Sequence, residues 1–384
     1  MVEWKKIKDI CSNICSGGTP NTKKREYYYG DIPWLRTQEV DWGNIYDTEI
    51  KISQKGIDNS SAKIIEKDCV IVAMHGATAA KVAINKIPLS TNQACCNLKI
   101  NKDISCYRYV YFWLCKEYHK LKALGEGSQN NISGQKIKDY PIPIPSLEEQ
   151  NRIVGILDTF TDSIENLKQQ IAQRRKQYEH YRDQLLDLEG KPNEDIKKFG
   201  DYCTMIKGNG VQKTDFVDIG IGCIHYGQIY THYGSFTYTT NKFVSKEVFE
   251  KARKASKGDI IMTDTSENVE DICKSVAYLG EEDIAVSNHA LIIKHEQNPK
   301  FLSYSTQTNS FFKQKQKCAY GVKVTGIKPE HLAKFKIYLP PLPEQQRIVS
   351  ILDTFEASIS NLEAQLAQRQ KQYEYYRNQL LTFE

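Results

Sequence analysis

The sequence predicts an α+β protein in which two mixed globular domains alternate with two long helices that pair as a coiled coil. The first observation behind this prediction is a repeat: residues 149–189 recur at 344–384, with 28 of 41 positions identical and no gap. The second is a heptad pattern inside both copies, and the third is the mixed composition of the stretches between them. The offset of 195 residues exceeds the roughly 20 to 50 residues of a solenoid repeat. We therefore interpret the chain as a duplicated unit, each made of a variable body and a constant helix.

Each copy of the repeated segment carries apolar side chains at alternating steps of four and three residues. This period of about 3.5 residues, held for about five heptads, is typical of a coiled-coil seam. The nearest partner for one seam is the other copy; the alternative is that each helix packs on its own body as an ordinary amphipathic helix. The predicted seam and partner interface comprises Ile153, Leu157, Phe160, Ile164, Leu167, Ile171, Arg174, Tyr178 and Tyr181 in the first copy, and Ile348, Leu352, Phe355, Ile359, Leu362, Leu366, Arg369, Tyr373 and Tyr376 in the second.

An arginine interrupts both seams at the same heptad position, Arg174 in the first copy and Arg369 in the second. A polar residue there usually costs stability and fixes the register or the partner. We expect the guanidinium groups to leave the seam and meet acidic groups on the helices or on a partner protein. The alternative is that the side chains simply snorkel along the helix surface.

The ends of the helices are also marked. Ser146 and Glu149 have the spacing of a capping box, Pro343 suits the first turn of the second helix, and Gly190 with Pro192 ends the first helix. These marks divide the chain into a first body at 1–146, a helix at 147–189, a second body at 190–342 and a helix at 343–384.

Charge is distributed unevenly along these segments. Residues 1–146 carry 21 Lys and Arg against 15 Asp and Glu, and residues 190–342 carry 21 against 17. The helices are acidic, with 6 against 9 at 147–189 and 4 against 6 at 343–384. Basic bodies favour a polyanionic partner, whereas acidic helices suit protein partners. The alternative is ordinary solvated lysine.

Composition also bears on the cellular compartment. The chain has no apolar run of 18 residues and no signal-peptide pattern at its start, so we expect neither membrane spanning nor export. The 11 cysteines form no C-x-x-C pair, which favours reduced thiols in the cytoplasm. Zinc held by Cys11 and Cys15 is a weaker alternative, because this close spacing occurs only once.

The two bodies share a frame but differ in detail. Both open with a similar motif, at 5–11 and 197–203, after which the sequences diverge. Runs of β-branched and aromatic residues predict strands at 69–73, 221–226 and 290–294, and helical patterns cover 107–124 and 298–315. We therefore expect compact α+β domains whose function lies on loops. Lysines interleaved with tyrosines, as at 23–29, favour nucleic-acid contacts; half-buried scaffold tyrosines are the alternative.

No catalytic motif emerges from the sequence. The segment 208–214 imitates a phosphate-binding loop, but Gln212 replaces the required glycine before Lys213. The motif of amino-group methyltransferases, the nucleophile elbow and the zinc-protease pattern are absent as well. We expect no catalytic residue and no metal ligand.

Several motifs along the chain match the pattern of one protein family. They are Ser16-Gly17-Gly18-Thr19-Pro20, Gly30 to Leu35, Ser90 to Gln93, Gly127-Ser128 with Asn131-Ile132-Ser133, Ile142 to Gln150 and its twin Leu339 to Gln345. With these motifs the chain resembles the specificity subunit of type I restriction-modification systems, and the resemblance covers the whole chain. The second body departs from the pattern at Gly208-Asn209-Gly210-Val211 and at Gly222-Cys223-Ile224.

The resemblance implies a non-catalytic recognition subunit. Such subunits carry two target recognition domains, separated by an antiparallel intramolecular pair of conserved helices in a circular, pseudo-two-fold arrangement. Each domain binds one half of a split double-stranded DNA target. The subunit recruits two methyltransferase subunits, which use S-adenosylmethionine, and restriction subunits, which use ATP and Mg²⁺. No cofactor is therefore expected in this chain.

Position in the family pattern, together with side-chain chemistry, selects candidate DNA contacts. They are Arg36, Thr37, Gln38, Lys81 and Gln93 in the first body, and His225, Tyr226, Gln228, His289 and Lys323 in the second. The heptads from Ile153 to Leu188 would span roughly 52 Å, or roughly 15 base pairs, which sets an upper limit on the unread gap. Two other hypotheses remain: a stand-alone DNA-modifying enzyme with two lobes, and a coiled-coil adaptor that binds no nucleic acid.

Overall fold

The computed structural model describes residues 2–126, 131–321 and 325–383. The chain forms two compact units. The first unit is Met1–Lys168 with Ala364–Glu384, and the second is Gln169–Glu363. Each unit therefore contains one body together with about half of each long helix.

The first body is built from short elements. Its strands, with the helices among them, are β1 (Glu3–Lys6), β2 (Cys11–Ser16), β3 (Ile32–Leu35), β4 (Asn44–Ile45), β5 (Ile50–Ile52), α1 (Gln54–Asp58), β6 (Ile64–Ile65), β7 (Val70–Ala73), β8 (Val82–Asn85), β9 (Leu89–Thr91), β10 (Cys95–Ile100), α2 (Tyr107–Lys116), α3 (Tyr118–Ala123), α4 (Gly134–Lys138) and β11 (Pro141–Ile144). The long helix α5 (Leu147–Leu186) follows.

Two sheets organise the first body. One has the strand order β2-β10-β7-β8-β4 and the other β5-β3-β9-β6, while β1 pairs with β11. Strand β7 shows how alternation builds two cores: Val70 and Val72 pack towards α2, whereas Ile71 and Ala73 pack between the sheets with Leu35. The five-stranded sheet is therefore buried on both faces.

The second body follows the same plan. Its elements are β12 (Ile196–Lys198), β13 (Cys203–Lys207), β14 (Phe216–Val217), β15 (Ile221–Ile224), α6 (Tyr226–Thr231), β16 (Phe236–Thr237), β17 (Lys242–Val244), α7 (Lys246–Lys251), β18 (Arg253–Ala255), β19 (Ile260–Thr263), β20 (Thr265–Ser266), β21 (Ser275–Tyr278), β22 (Ile284–Val286), β23 (Ala290–His295), α8 (Pro299–Ser305), α9 (Asn309–Cys318), β24 (Thr325–Gly326), α10 (Pro329–Leu332) and β25 (Lys336–Tyr338). Helix α11 (Leu342–Leu380) closes the chain.

The strand orders of the two bodies correspond. The order β13-β23-β19-β21-β16 repeats the first five-stranded sheet, and β17-β15-β22-β18 repeats the second, with β14 added at its edge. Parallel pairs also recur at matching places, β3 with β9 and β15 with β22. The α+β class is confirmed, and β7, β23, α2 with α3, and α8 with α9 lie where the sequence predicts them.

Each long helix begins by docking on its own body. The buried Gln150 side chain accepts hydrogen bonds from Ser105 Oγ and from the Cys106 N–H, both at 2.9 Å. Its counterpart Gln345 accepts from the Asn298 N–H at 3.0 Å. Ile153 and Leu157 then enter the core of the first body, as Ile348 and Leu352 enter that of the second. The packing of each helix on its own body and the coiled coil therefore coexist.

Within each unit the two helix segments pair in antiparallel fashion. In the second unit Arg175 pairs with Glu363 at 2.5 Å and Tyr181 stacks on Phe355 at 5.3 Å, so higher numbers on α5 meet lower numbers on α11. In the first unit Phe160 stacks on Tyr376 at 5.2 Å. The repeat relates Phe160 to Phe355 and Tyr376 to Tyr181, so the two stacked pairs are equivalent.

The interrupting arginines lie over aromatic rings. The Arg174 guanidinium carbon is 5.9 Å from the centre of the Phe355 ring, and that of Arg369 is 5.7 Å from the Phe160 ring. Within the described ranges neither arginine forms an ion pair with an acidic side chain. Among the same residues, no helix combines the length and apolar character needed to cross a bilayer.

Candidate nucleic-acid interface

The predicted contacts of the first body gather where the parallel strands β3 and β9 end. The Asn92 N–H donates to the Leu35 carbonyl at 2.9 Å, so the segments that follow the two strands lie side by side. Gly18 joins them through its N–H, which donates to the Thr91 carbonyl at 2.9 Å. Gly17 is required here, because a Cβ atom would lie 1.9 Å from the Thr91 carbonyl oxygen. This is the structural basis of the Gly-Gly-Thr-Pro motif.

Arg36 is held by acidic neighbours. Its Nε lies 3.2 Å from Glu39 Oε1, and its terminal nitrogen pairs with Glu49. Gln38 is exposed, and its carboxamide oxygen, in the orientation that satisfies both of its polar groups, accepts from Arg36 at 2.9 Å. The guanidinium is therefore fixed in place beside an exposed amide, a pair suited to base edges.

The remaining predicted residues of this body lie on neighbouring loops. Thr78 Oγ1 donates to the Thr37 carbonyl at 2.8 Å, which joins the short 3-10 helices at 37–39 and 76–78. Lys81 pairs with Asp41 at 2.5 Å, and exposed Gln93 accepts from the Thr19 hydroxyl. We call Arg36, Thr37, Gln38, Lys81 and Gln93 the first contact surface.

The second body repeats this arrangement with other side chains. The Ser287 N–H donates to the Ile224 carbonyl at 3.1 Å, as Asn92 does to Leu35. Gln228 Oε1 accepts from the His225 N–H at 2.7 Å, and Glu39 Oε1 accepts from the Arg36 N–H at 3.2 Å, so His225 corresponds to Arg36.

Rings dominate this second surface. The Tyr226 ring lies 4.4 Å from His225 and meets His289 edge to face at 5.3 Å. Its N–H donates to Ser287 Oγ at 2.9 Å. His289 has a left-handed backbone with φ of 64°. We call His225, Tyr226, Gln228, His289 and Lys274 the second contact surface. Lys274 is included because it is the structural equivalent of Lys81.

The five predicted residues of this body differ in exposure. Gln228 is 9% exposed and also donates to Asn241, so both of its polar groups bond within the body. His225 is buried, its Nδ1 accepts from the Gly227 N–H at 3.2 Å, and burial, followed by Lys213 and His289, lowers its pKa. Lys323 lies outside the described residues, as do Gly127 and Ser128 of the first body.

Sequence reasoning missed Lys274, which occupies the position of Lys81. Each follows a residue with positive φ, Ala80 at 70° and Cys273 at 61°. The Ala73 N–H donates to the Lys81 carbonyl at 2.9 Å, and the Thr263 N–H to the Lys274 carbonyl at 3.0 Å. The sequence echo between 91–94 and 287–290 is displaced by one residue, because pairing with β7 and β19 aligns Cys95 with Ala290.

A second kind of surface lies on the paired helices. An open groove of about 690 Å³ in the second unit is lined by Arg174, Gln177, Tyr181, Gln184, Leu185, Ile351 and Phe355. The corresponding residues of the first unit are identical at all seven positions: Arg369, Gln372, Tyr376, Gln379, Leu380, Ile156 and Phe160. We call these sets the helix patches. Because 13 of the 41 repeat positions differ, complete identity here sets the patches apart.

Among the described residues there is neither a cluster of metal ligands nor a disulfide. No cluster of three or more His, Cys, Asp or Glu in ranges 2–126, 131–321 and 325–383 is arranged to hold an ion. All 11 cysteines are free. Burial raises the pKa of Cys11 to about 12 and of Cys69 to about 11, so these thiols are poor nucleophiles near neutral pH.

The chain is similar to known proteins of one family. Residues 1–174 and 195–370 each match the family described as the type I restriction modification DNA specificity domain. The type I restriction enzyme MjaIX specificity subunit of Methanocaldococcus jannaschii is 36% identical over 203 residues, covering 50% of this chain and 46% of that protein. The putative specificity subunit S.HindORF215P of Haemophilus influenzae is 26% identical over 404 aligned residues, covering 100% and 96%.

Solved structures share the fold. The type I S subunit from M. genitalium aligns with a TM-score of 0.58 at 14% identity, covering 100% of this chain and 97% of that one. A chain from a structure of type I restriction-modification complex assembly and conformational transition aligns at 0.61 and 16% identity, covering 99% and 97%. Since the family match takes in both bodies and most of both helices, the chain belongs to the type I restriction-modification DNA specificity subunits, whose role is recognition rather than catalysis.

Proposed function

We propose that this chain binds a split double-stranded DNA target, with one half-site contacted by each body and an unread gap between them. The observation that carries the proposal is the correspondence of the two contact surfaces. Both are built on the same strand ends, yet Arg36 in one is His225 in the other. One framework with different side chains suits the recognition of two different sequences.

The individual contacts follow from this proposal. Arg36 and Gln38 would bind base edges of the first half-site, while Lys81 and Lys274 would bind phosphates. Tyr226 and His289 would contact the second half-site, with Lys323 as a further contact predicted by sequence alone. Thr37, Gln93, His225 and Gln228 remain proposed contacts too, although the bonds of buried Gln228 suit it better to holding the His225 loop.

We further propose that the helix patches bind two methyltransferase subunits, one at each patch. Their seven identical residues give the chain two copies of one surface, which suits two copies of one partner. Restriction subunits would join the assembled complex. S-adenosylmethionine, ATP and Mg²⁺ would belong to those partners, and this chain would supply none of their chemistry.

Methylome sequencing tests the proposal. Cells with this gene and its partner genes should methylate one split sequence, and cells without the gene should not. Arg36→Ala with Gln38→Ala should relax the sequence at the first half-site alone, because a base-edge contact contributes about 1 to 3 kcal/mol of discrimination. Methylation of an unsplit sequence, or by this chain without partners, would contradict the proposal.

A further inference from the structure

A buried carboxylate lies beneath the second contact surface. Asp264 directly follows β19 and is 4% exposed. Lys207 Nζ lies 3.0 Å from its Oδ2. Its Oδ1 is buried and has no hydrogen-bond partner in the described parts of the chain. Leaving a charged oxygen buried without a donor is unfavourable, so this atom indicates a partner that arrives with the ligand or after a small movement.

The fold itself does not require a carboxylate here. Met74 occupies the same place in the first body: the Ile132 N–H donates to its carbonyl at 2.8 Å, and the Ile327 N–H donates to the Asp264 carbonyl at 3.0 Å. Met74 packs into the apolar core of its body. Because an apolar thioether takes this place in the first body, the shared framework does not explain the carboxylate of Asp264, which indicates a role specific to the second body.

The His289 side chain is close enough to supply the missing donor after a small movement. Its Nδ1 lies 4.0 Å from Asp264 Oδ1, about 1 Å beyond hydrogen-bond distance. The two residues are already joined through the backbone, since the Asp264 N–H donates to the His289 carbonyl at 3.1 Å. The His289 side chain is 52% exposed, so the ring spans from the buried carboxylate to the surface.

The backbone of His289 supports a functional role. A φ of 64° is unfavourable for any residue other than glycine, and such conformations concentrate at functional sites. Ala94 takes the corresponding place in the first body, where its carbonyl accepts from the Met74 N–H at 2.8 Å, and it has no such φ. The strained conformation and the buried carboxylate therefore occur together, in one body only.

We propose that Asp264 positions His289 for base recognition, with Oδ1 accepting the Nδ1 proton of the charged imidazole ring while Nε2–H donates to an acceptor atom of guanine in the second half-site. The inference rests on the proposed function. A carboxylate at Nδ1 orients the ring and favours its charged form. Guanine presents two acceptors, O6 and N7, in the major groove, which makes it the base that a cationic donor distinguishes.

Charged and titratable groups surround His289. They are Asp264, with Lys207 on the same carboxylate, and His225, the residue that caps α6 next to Tyr226. Burial lowers the pKa of His225, which keeps that ring neutral near pH 7. Histidine side chains change their charge between about pH 5 and pH 8, so a contact that needs the charged ring should weaken as pH rises across this range.

The test uses the full chain assembled with the methyltransferase subunits of its host. Selection from randomised DNA duplexes at about pH 6 and about pH 8.5, followed by sequencing, reports the preference at every base of both half-sites. At low pH we expect guanine at one position of the second half-site, preferred by about 5- to 150-fold. That preference should fall at high pH, while the first half-site stays unchanged.

Three variants separate the possible outcomes. His289→Gln should lose the guanine preference at both pH values, and Asp264→Asn should weaken it already at low pH, because a neutral carboxamide oxygen holds and orients the charged ring less firmly than a carboxylate does. His119→Gln, at an exposed histidine of the first body, is the matched control and should change neither half-site. Because His289 is half exposed, its variant remains informative even if Asp264→Asn fails to fold.

Two results would overturn the inference. One is a His289→Gln or Asp264→Asn complex that selects the wild-type second half-site with the wild-type pH profile. The other is an equal loss of affinity for all sequences, which would assign His289 to a phosphate. Failure of the wild-type complex to select any split sequence would instead overturn the proposed function, so the two failures are distinguishable.

Discussion

At the scale of single residues, equivalence between the two bodies is fixed by strand pairing rather than by position in the sequence. Arg36 and His225 are 189 positions apart, Lys81 and Lys274 are 193 apart, and Cys95 and Ala290 are 195 apart. Loop lengths change between these points, so an ungapped comparison cannot align them. The sequence thus identified residues that follow apolar runs, such as Arg36, but it missed Lys274.

The pair Lys81 and Lys274 makes a prediction at this scale. If both lysines bind phosphates, each variant, Lys81→Ala or Lys274→Ala, should weaken binding to all DNA sequences by the same factor. Each should also lower the slope of log K against log salt by about 1. Base preference should not change. Lys257→Ala is the control, since this exposed lysine pairs with Glu281 at 2.5 Å and belongs to neither contact surface. Titration of DNA binding at several salt concentrations gives the slope.

A lost base preference in Lys274→Ala would contradict this assignment and place the lysine at a base edge. Lys81 has an ion pair with Asp41 to break before it meets DNA, whereas the Lys274 Nζ donates only to the Tyr230 carbonyl, at 3.1 Å, among the residues described. The Lys274→Ala variant should therefore show the larger loss of affinity.

At the scale of elements, the long helices were the most predictable part of the chain. A heptad pattern and its repeat suffice to identify them, because a sustained period leaves few alternatives to a helix. The pattern could not show that the first turns dock on the bodies. Gln150 and Gln345 are polar residues, and their role depends on backbone groups of Cys106 and Asn298 that lie far away in the sequence.

The arginines of the helix patches give a prediction at this scale. Arg174→Leu together with Arg369→Leu should raise the thermal midpoint of the isolated chain, because leucine packs on Phe355 and Phe160 without a charge to solvate. The net gain should be only about 1 kcal/mol, because the favourable burial of leucine is partly offset by the loss of a partly exposed cation–π contact of about 0.5 to 1 kcal/mol. Assembly with the methyltransferase subunit should weaken, because both patches lose their charged donor.

Calorimetry measures the first effect and sedimentation of the mixed subunits measures the second. Arg175→Leu is the matched control: it lies next to Arg174, and its ion pair with Glu363 lies outside the groove. An exposed pair of this kind contributes at most about 1 kcal/mol, so the control should assemble normally. Normal assembly of the double leucine variant would separate the arginines from partner binding and leave only their structural role.

At the scale of the whole molecule, the repeat means that each long helix presents almost the same surface as the helix with which it pairs. In the first unit, Phe160 stacks on Tyr376, and Leu380 joins the core beside Leu157. Tyr181 and Leu185 are the repeat equivalents of Tyr376 and Leu380, and they make the corresponding contacts in the second unit. A fragment ending at Glu189 therefore contains both the surface and its complement.

Such a fragment, residues 1–189, should dimerise, because its apolar seam would otherwise remain exposed to water. The most favourable partner available is a second copy related by two-fold symmetry. Phe160 of one copy would stack on Tyr181 of the other. With methyltransferase subunits present, two identical first bodies should methylate the first half-site repeated as an inverted palindrome. The 13 differing positions of the repeat, several of them charged, act against the dimer. A fragment that sediments as a monomer at micromolar concentration would exclude the dimer, and methylation at any sequence other than a palindrome would exclude its proposed symmetry.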